Sequence, residues 1–311
     1  NSNAIKAKEE ANEIIFKAKE ESNSIIFSAK EDAAKIMQET SERSSESHKN
    51  AEQDILDYQT KSYDRFQQET SDKLDHIGVF GRSVEDVALL AKVLIKKDNH
   101  DKATVHYSTE NMLNETKKGP LFEPRFIFYK TDYWKLLDKK SRDAFEYFIK
   151  SFKKNIEVFD TPSYFKDIHK YHQIIHETDL ANNFGLYFKK YKKKLSKYMQ
   201  DAILKGNKHS AKDYAEAIDF MKRSYASYEE VFEDYHGVLT PSSPGVAPKS
   251  LKSTGTAEFN KVWSYLGTPC ISLPLLQGEG DMPLGVQLIG ARYDDHRFLG
   301  VANWLEKECN K

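Results

Sequence analysis

Glycine and proline are absent from the first 77 residues of this 311-residue chain, and all 14 glycines and 9 prolines lie at or after Gly78. A long stretch without either residue lacks the usual signals for turns and helix ends. The charge changes at a similar place, because residues 1–73 carry a net charge of −5 and the remainder +4. The sequence therefore predicts two different kinds of polypeptide, residues 1–73 and residues 74–311, joined near residue 73.

An 11-residue repeat occupies the first segment. Residues 7–17, 18–28 and 29–39 align without a gap on the pattern A-K-E-[ED]-[AS]-x-x-I-[IM]-x-x. Eleven residues in three helical turns give about 3.67 residues per turn, which suits a straight or weakly right-handed supercoil. The apolar stripe is too narrow to stabilise a lone helix in water. The repeat therefore predicts a long coiled-coil helix that self-associates through residues 1–73.

This hendecad pattern resembles the stalk helices of the peripheral-stalk subunit of bacterial ATP synthases. The resemblance implies a dimeric stalk or scaffold. A solvated single helix is the alternative, and the apolar runs at residues 14–16 and 25–27 disfavour it.

After Gly78 the sequence alternates between helical and strand-like patterns, which predicts an α/β architecture. Residues 97–119 are predicted to be a polar connection. The predicted helices cover 83–95, 138–155, 164–201, 210–235 and 297–307. The predicted strands cover 126–129, 156–159, 237–241, 271–275 and 285–290. Because Pro274 cannot donate a hydrogen bond to a neighbouring strand, the strand that contains it is predicted to lie at an edge or a bend.

Six lysines in the predicted helix at 164–201 raise the question of a nucleic-acid partner. They are Lys189, Lys190, Lys192, Lys193, Lys194 and Lys197. The intervening residues Tyr187, Phe188, Tyr191, Leu195 and Tyr198 have the spacing of core residues. We therefore interpret the lysines as a solvated basic face, and no nucleic-acid partner is predicted.

Composition excludes several other classes. No segment approaches the roughly 18 apolar residues of a membrane span, and no secretory signal peptide is recognisable. Only Cys270 and Cys309 are present, and their spacing suits neither a disulfide framework nor a zinc site. These observations predict a cytoplasmic protein without a membrane span, a metal site or a cofactor.

Four segments carry a family resemblance in a fixed order. They are LDHIGVFGRSVED at 74–86, LTPSSPGVAP at 239–248, TGTAEFNKVW with LGTPCISLP within 254–274, and PLGVQLIG at 283–290. Together they resemble the amidase-signature family of carbon–nitrogen hydrolases. The resemblance covers about three quarters of this chain, residues 74–311, but only about the later half of the family fold.

The resemblance implies a mixed sheet covered by helices and the hydrolysis of a small amide through an acyl-enzyme, with no cofactor. By their position in the family's pocket-side segment, Thr254, Gly255, Phe259 and Trp263 are predicted to contact substrate. The two aromatic residues in this set suit a core position equally well.

The family's catalytic elements are a serine nucleophile, a second serine in a cis peptide and a lysine base, all placed before the Leu-Asp-x-x-Gly segment. Here that region is the glycine-free repeat, so no catalytic residue is predicted and the chain is expected to be inactive. Neither Ser44–Ser45 nor Ser242–Ser243 lies in the position of the nucleophile. A substitute base could come from His76, His169, His172 or His176, although capped or solvent-facing histidines are more common beside aromatic-rich helices.

Two alternatives remain open. The chain could be a coiled-coil scaffold protein whose amidase-like tail is vestigial. It could also be a join of two unrelated reading frames, either natural or produced in sequence assembly.

Overall fold

The computed structural model describes residues 74–99, 104–250 and 254–311, together with Lys35 and Gln38, which are helical and exposed. The coiled coil predicted over residues 1–73 otherwise lies outside the described residues. It stays a prediction, as does the boundary near residue 73. The residues from 74 onward belong to a compact unit that spans Ser62–Lys311.

Five strands form one mixed sheet, with the spatial order β2-β1-β3-β5-β4. The strands are β1 (Phe126–Lys130), β2 (Ile156–Asp160), β3 (Gly237–Pro241), β4 (Cys270–Gln277) and β5 (Pro283–Ile289). β1 runs parallel to both β2 and β3, whereas β5 runs antiparallel to both β3 and β4. The predicted α/β class with a mixed sheet is confirmed, and each predicted strand is present.

The inner strand β1 is buried on both faces, because helices cover the sheet on each side. Phe126 and Phe128 point into one hydrophobic cluster, and Ile127 and Tyr129 point into the other. A strand enclosed in this way appears in the sequence as a continuous apolar run, not as alternating polar and apolar residues.

Nine helices lie within the described ranges. They are α1 (Val84–Leu94), α2 (Met112–Lys118), α3 (Lys139–Ser151), α4 (Phe165–Tyr191), α5 (Lys197–Gly206), α6 (Ala211–Glu229), α7 (Val231–Asp234), α8 (Glu258–Leu266) and α9 (Asp295–Cys309). Several begin at side-chain caps, of which Ser83 was predicted: its side chain accepts a hydrogen bond from the Asp86 amide at the start of α1.

Three predictions about the helices were wrong in detail. The polar connection predicted over 97–119 contains α2, and the single helix predicted over 210–235 divides into α6 and α7. The single helical pattern predicted over 164–201 divides into α4 and α5. The break is a 3₁₀ turn, Lys192–Lys194, followed by Ser196, whose side chain caps α5 by accepting a hydrogen bond from the Met199 amide. A serine cap following a run of lysines is the sequence signal for this helix start.

The lysines around this break are exposed, as predicted. The interpretation of their aromatic neighbours as core residues was wrong for three of them. Tyr187, Tyr191 and Tyr198 are 56%, 37% and 67% exposed, whereas Phe188 and Leu195 are half-buried. At this end of α4 helical periodicity therefore does not indicate a core position.

Helices α4 and α5 pack closely at Gly206. A Cβ atom at this position would lie 1.9 Å from the carbonyl oxygen of Glu177. Only glycine permits this approach, which brings the polar end of α5 over the middle of α4.

None of the helices in the described ranges is long and apolar enough to cross a membrane. Cys270 and Cys309 are both free thiols.

Candidate functional site

A cavity of about 400 Å³ lies between α4, α5 and α8. The polar side chains of its lining include His172 and His176 of α4, Asp201 and Lys205 of α5, and Asn260, Lys261 and Ser264 of α8. Leu74 and Asp75, from the first family-like segment, complete one wall. Convergent polar groups in a concave site are typical of a small-molecule binding pocket.

Helix α8 contributes two distinct faces to this part of the fold. Phe259 and Trp263 are 4% and 2% exposed and pack into the two hydrophobic clusters. Asn260, Lys261 and Ser264 lie on the opposite side and line the cavity. The apolar side fixes the helix against the sheet, and this orientation directs the polar side into the cavity.

A titratable cluster is centred on Glu258, at the start of α8. Its carboxylate pairs with Lys261 and lies 3.3 Å from Nδ1 of His169 on α4. The Tyr133 ring packs edge-on against His169 at 4.9 Å, and the tyrosine is also hydrogen-bonded to Glu258. Burial acts to raise the pKa of Glu258, but the hydrogen bonds from Lys261 and Tyr133 outweigh burial and lower the pKa. Glu258 is therefore a carboxylate at neutral pH.

Two histidines of α4, His169 and His172, are held in their neutral form. Burial lowers the pKa of His172 to about 4, assisted by repulsion from His176 and Lys261. Burial also lowers the pKa of His169, and the attraction of Glu258 only partly offsets this effect. Neutral imidazole has one nitrogen that donates and one that accepts, so these side chains suit an uncharged polar ligand.

Glu177 supports the cavity from within α4. It is buried, and it accepts hydrogen bonds from Gln173 at 2.8 Å and from His209 at 2.8 Å. Lys205 lies 3.6 Å away on α5. Burial acts to raise the pKa of Glu177, but these partners overcome that effect and lower it. This buried carboxylate therefore acts as an anchor between α4, α5 and the segment that precedes α6.

A hydrogen-bond network connects the cavity to the sheet through Asn260. The amide of Gln287 in β5 donates to Asn260 Oδ1 at 2.9 Å, and Thr240 Oγ1 in β3 donates to Gln287 Oε1 at 3.3 Å. Asn260 in turn donates to the main-chain oxygen of Ser242 at 3.4 Å. The network thus joins α8 to the carboxyl end of β3, where the 239–248 motif leaves the sheet.

Gly285 packs between two serine hydroxyls at this edge of the sheet. A Cβ atom there would lie 2.4 Å from the hydroxyl of Ser242 and 2.4 Å from that of Ser272. Ser242 Oγ donates to the Gly285 carbonyl at 3.1 Å. The glycine of the 283–290 motif is therefore required for close packing of three neighbouring segments, β5, β4 and the loop after β3.

The four residues predicted to contact substrate lie on α8 or just before it, but none of them lines the cavity. Phe259 and Trp263 have buried positions, and Thr254 and Gly255 are exposed in the segment leading to α8. Their contact with substrate stays a prediction. Asn260, Lys261 and Ser264 were missed. The sequence contains a signal for these three residues. Asn260 and Lys261 precede Ser264 by four and three residues, which places all three on one helix face, opposite the face that carries the two aromatic residues.

The serine pair at 242–243 has the surroundings of a structural turn. Ser242 and Ser243 both direct their hydroxyls to main-chain carbonyls, Ser243 donating to Gly245 at 2.7 Å. Within the described residues, no histidine or lysine is hydrogen-bonded to either hydroxyl. Ser44 and Ser45 lie outside the described residues.

The structure brings together three of the four histidines considered as a substitute base. His169, His172 and His176 occupy one region of α4, the last two with rings 6.0 Å apart. His76 instead is hydrogen-bonded to the carbonyl of Leu74 at 2.8 Å. No group of three or more potential metal ligands occurs in the described ranges.

Comparison with known proteins gives a consistent family. The Amidase family model matches residues 57–299. A glutamyl-tRNA(Gln) amidotransferase subunit from Helicobacter hepaticus is 30% identical over 103 residues, which cover 31% of this chain and 23% of that protein. The corresponding subunit from Clostridium botulinum (strain Alaska E43 / Type E3) is 25% identical over 269 residues, covering 75% of this chain and 55% of that protein.

A solved structure described as an amidase has the same fold, with a TM-score of 0.61 at 21% identity. The match covers 76% of this chain and 54% of that one. The chain spans about half, or less, of the length of these relatives. Since the Amidase family model matches well over half of its residues, this chain belongs to the amidase family.

Proposed function

We propose that residues 74–311 form the later portion of an amide hydrolase domain, and that the cavity between α4, α5 and α8 receives a small amide substrate. The observation that carries this proposal is the position of Asn260. It lines the cavity and also bonds to Gln287 and Ser242, which belong to the family-like segments. The residues of the family resemblance and the cavity are therefore parts of one arrangement.

The chemistry of the lining fits an uncharged, polar ligand. Of the charged groups in the lining, Lys261 pairs with Glu258, Asp201 pairs with Lys197 at 2.7 Å, and Glu177 lies 3.6 Å from Lys205, so most of the ionised groups have a partner of opposite charge. A carboxamide needs a donor for its oxygen and an acceptor for its nitrogen. Asn260 and the neutral His172 offer groups of both kinds.

The same proposal holds that this chain does not hydrolyse amides unaided. The family's two serines and its lysine have no counterparts in the segments that carry the resemblance. The engaged hydroxyls of Ser242 and Ser243 lack a neighbouring base among the described residues, and a serine nucleophile needs such a base. The cavity would then bind amides without turning them over.

The test is ammonia release by the purified chain from a panel of aliphatic and aromatic amides, with ligand binding followed in parallel by saturation-transfer NMR. We expect binding without turnover, and weaker binding in Asn260→Leu. Matched controls are Ser242→Ala and Ser243→Ala. Turnover that survives repurification and is lost in either serine variant would show that the chain contains its own nucleophile.

A second function, self-association through residues 1–73, is favoured by the gapless 11-residue repeat. We propose that this segment pairs with a second copy and that the chain thereby acts as a stalk or scaffold. Sedimentation equilibrium of a peptide of residues 1–73 tests this proposal. A concentration-dependent helical dimer is expected, and a monomer at all accessible concentrations would contradict it.

A further inference from the structure

The turn between α4 and α5 carries a concentration of positive charge, of which only Lys197 pairs with a residue of the cavity, Asp201. We define the basic tip as residues 184–198. Between Asp179 and Asp201 the chain has six lysines and no acidic residue. Only Lys197 has an ion-pair partner here, Asp201, at 2.7 Å. Among the described residues no carboxylate lies within ion-pair distance of the other five lysines.

Apolar side chains are exposed on the same tip. Leu186 is 79% exposed and Tyr187 is 56% exposed. The rings form a continuous row, because Phe184 contacts Tyr187 at 6.5 Å and Tyr187 contacts Tyr191 at 5.9 Å between centroids. Exposed apolar groups clustered in this way, as opposed to scattered singly, mark interaction surfaces.

The cations and the rings belong to one surface. The ammonium groups of Lys190 and Lys194 both lie 5.2 Å from the centroid of the Tyr191 ring. Lys192 lies at the same distance from Phe188. Any partner that meets the lysines therefore also meets aromatic carbon.

From this arrangement we propose that the basic tip docks on an anionic lipid bilayer. Lysines cover long apolar stems while their charged ends stay in water, and tyrosines prefer the boundary between headgroups and acyl chains. Each lysine near an anionic membrane contributes attraction, and a cluster of four to eight is typical of such surfaces. Leu186 supplies an acyl-chain contact that an aqueous polyanion would not satisfy.

Single-stranded RNA fits this surface less well. RNA-binding surfaces favour arginine, whose planar group matches phosphate and stacks on bases, yet the tip has none. Base stacking also needs open aromatic faces. Two lysines already lie over the Tyr191 ring.

The test is flotation of the full chain with vesicles on a density gradient, which separates bound protein from aggregates. One set of vesicles is phosphatidylcholine alone, and the other contains about 30% phosphatidylserine. We expect flotation only with the anionic vesicles, and release when NaCl is raised from about 0.1 M to about 1 M, because salt screens exposed charges.

Two variants assign the binding to the tip. Replacing Lys189, Lys190, Lys192, Lys193 and Lys194 by Gln should lower the partition coefficient at least about tenfold. Leu186→Ser combined with Tyr187→Ser should lower it while keeping the charge. A matched control replaces five exposed lysines of α3 and its following turn by Gln, namely Lys139, Lys140, Lys150, Lys153 and Lys154.

All variants retain residues 1–73, so differences between them report the tip alone. Circular dichroism melts check that each variant is folded, and the two tip variants serve as independent tests if one of them is not. The proposal is overturned if the wild-type chain ignores anionic vesicles, or if the α3 control loses as much binding as the tip variants. It is also overturned if the tip binds a single-stranded RNA oligonucleotide in fluorescence anisotropy but not vesicles.

Discussion

His172 shows how a position within the fold sets the charge of a single side chain. It lies on α4 against the cavity, with His176 on the next turn and Lys261 across from it on α8. Burial and these two neighbours all disfavour the imidazolium, and only Glu258 favours it. The result is a neutral ring with a pKa of about 4. A cavity that contains lysines and carboxylates can therefore still present an uncharged donor and acceptor.

The pKa of His172 makes stability depend on pH. In the unfolded chain a histidine has a pKa of about 6.5. As the pH falls, His172 of the unfolded chain therefore binds a proton at a higher pH than His172 of the folded chain. Stability present above pH ~6.5 is therefore lost as the pH falls from about 6.5 toward about 4. His172→Asn should reduce this loss of unfolding free energy by about 2 kcal/mol. This value is smaller than the free energy that corresponds to the full pKa shift of His172, which is the upper limit.

Urea unfolding at neutral and acidic pH measures this difference for the wild-type chain and His172→Asn. His106→Asn, which changes an exposed histidine, is the matched control and should keep the wild-type pH dependence. Equal pH dependence in all three proteins would show that His172 is not held neutral.

At the scale of the elements, the sequence was most informative where local pattern and tertiary packing agree. The run Phe126–Tyr129 predicted a buried strand, and Ser83 predicted the start of α1, since each signal is contained in a few neighbouring residues. Helix α2 was missed because only Met112 and Thr116 of its seven residues are buried, so its periodicity is weak. The exposure of Tyr187 was missed because periodicity indicates a common face and not whether anything covers it.

The candidate site was less predictable for a related reason. The family resemblance predicted that the 254–274 segment contributes to the pocket. It did not predict which face of α8 lines the cavity, because that depends on packing against residues distant in the sequence. The large aromatic side chains of Phe259 and Trp263 suit contact with a substrate. The same size suits them to the hydrophobic core, where both are buried. The role of Asn260 depends on Gln287, which lies 27 residues away and is brought near only by the sheet.

Two glycines on α4 and α5 provide an internal comparison for the packing of these helices. A Cβ atom on Gly206 would overlap the Glu177 carbonyl at 1.9 Å, whereas one on Gly185 would meet nothing within 4 Å. Gly206→Ala should therefore destabilise the fold by about 2–4 kcal/mol, because the helices must separate. Gly185→Ala should stabilise it by about 0.5–1 kcal/mol through helix propensity.

Thermal and urea unfolding of the two alanine variants test whether the substitutions change stability in opposite directions. Gly206→Ala should also weaken any ligand binding in the cavity, since α5 supplies one wall. If both variants shift stability in the same direction, the close approach of α4 and α5 is not a feature of the protein in solution.

For the whole molecule, the two ends of the sheet matter most. β2 and β4 are the edge strands of the described sheet. β4 contains Pro274, and its register with β5 shifts between Leu273 and Leu276, which confirms the predicted edge or bend. β2 contains no proline, and it exposes Val158 and Phe159, at 47% and 43%, on an edge that has no partner strand among the described residues. Apolar side chains exposed on an edge strand promote association with other chains.

We therefore expect residues 74–311, expressed alone, to be aggregated or molten. The matched region covers only 54% of the solved amidase chain, so we expect the family's sheet to need additional strands for a stable core. Each large side chain left unburied forfeits about 1.5–3 kcal/mol, against a total stability of about 5–15 kcal/mol.

Val158→Lys and Phe159→Lys should reduce the aggregated fraction, since charge on an edge strand opposes pairing. Tyr147→Lys, at a position 73% exposed on α3, is the control and should not. Analytical ultracentrifugation measures the aggregated fraction, and circular dichroism measures whether the fragment unfolds cooperatively. A monodisperse fragment with a cooperative thermal transition would establish residues 74–311 as a complete domain.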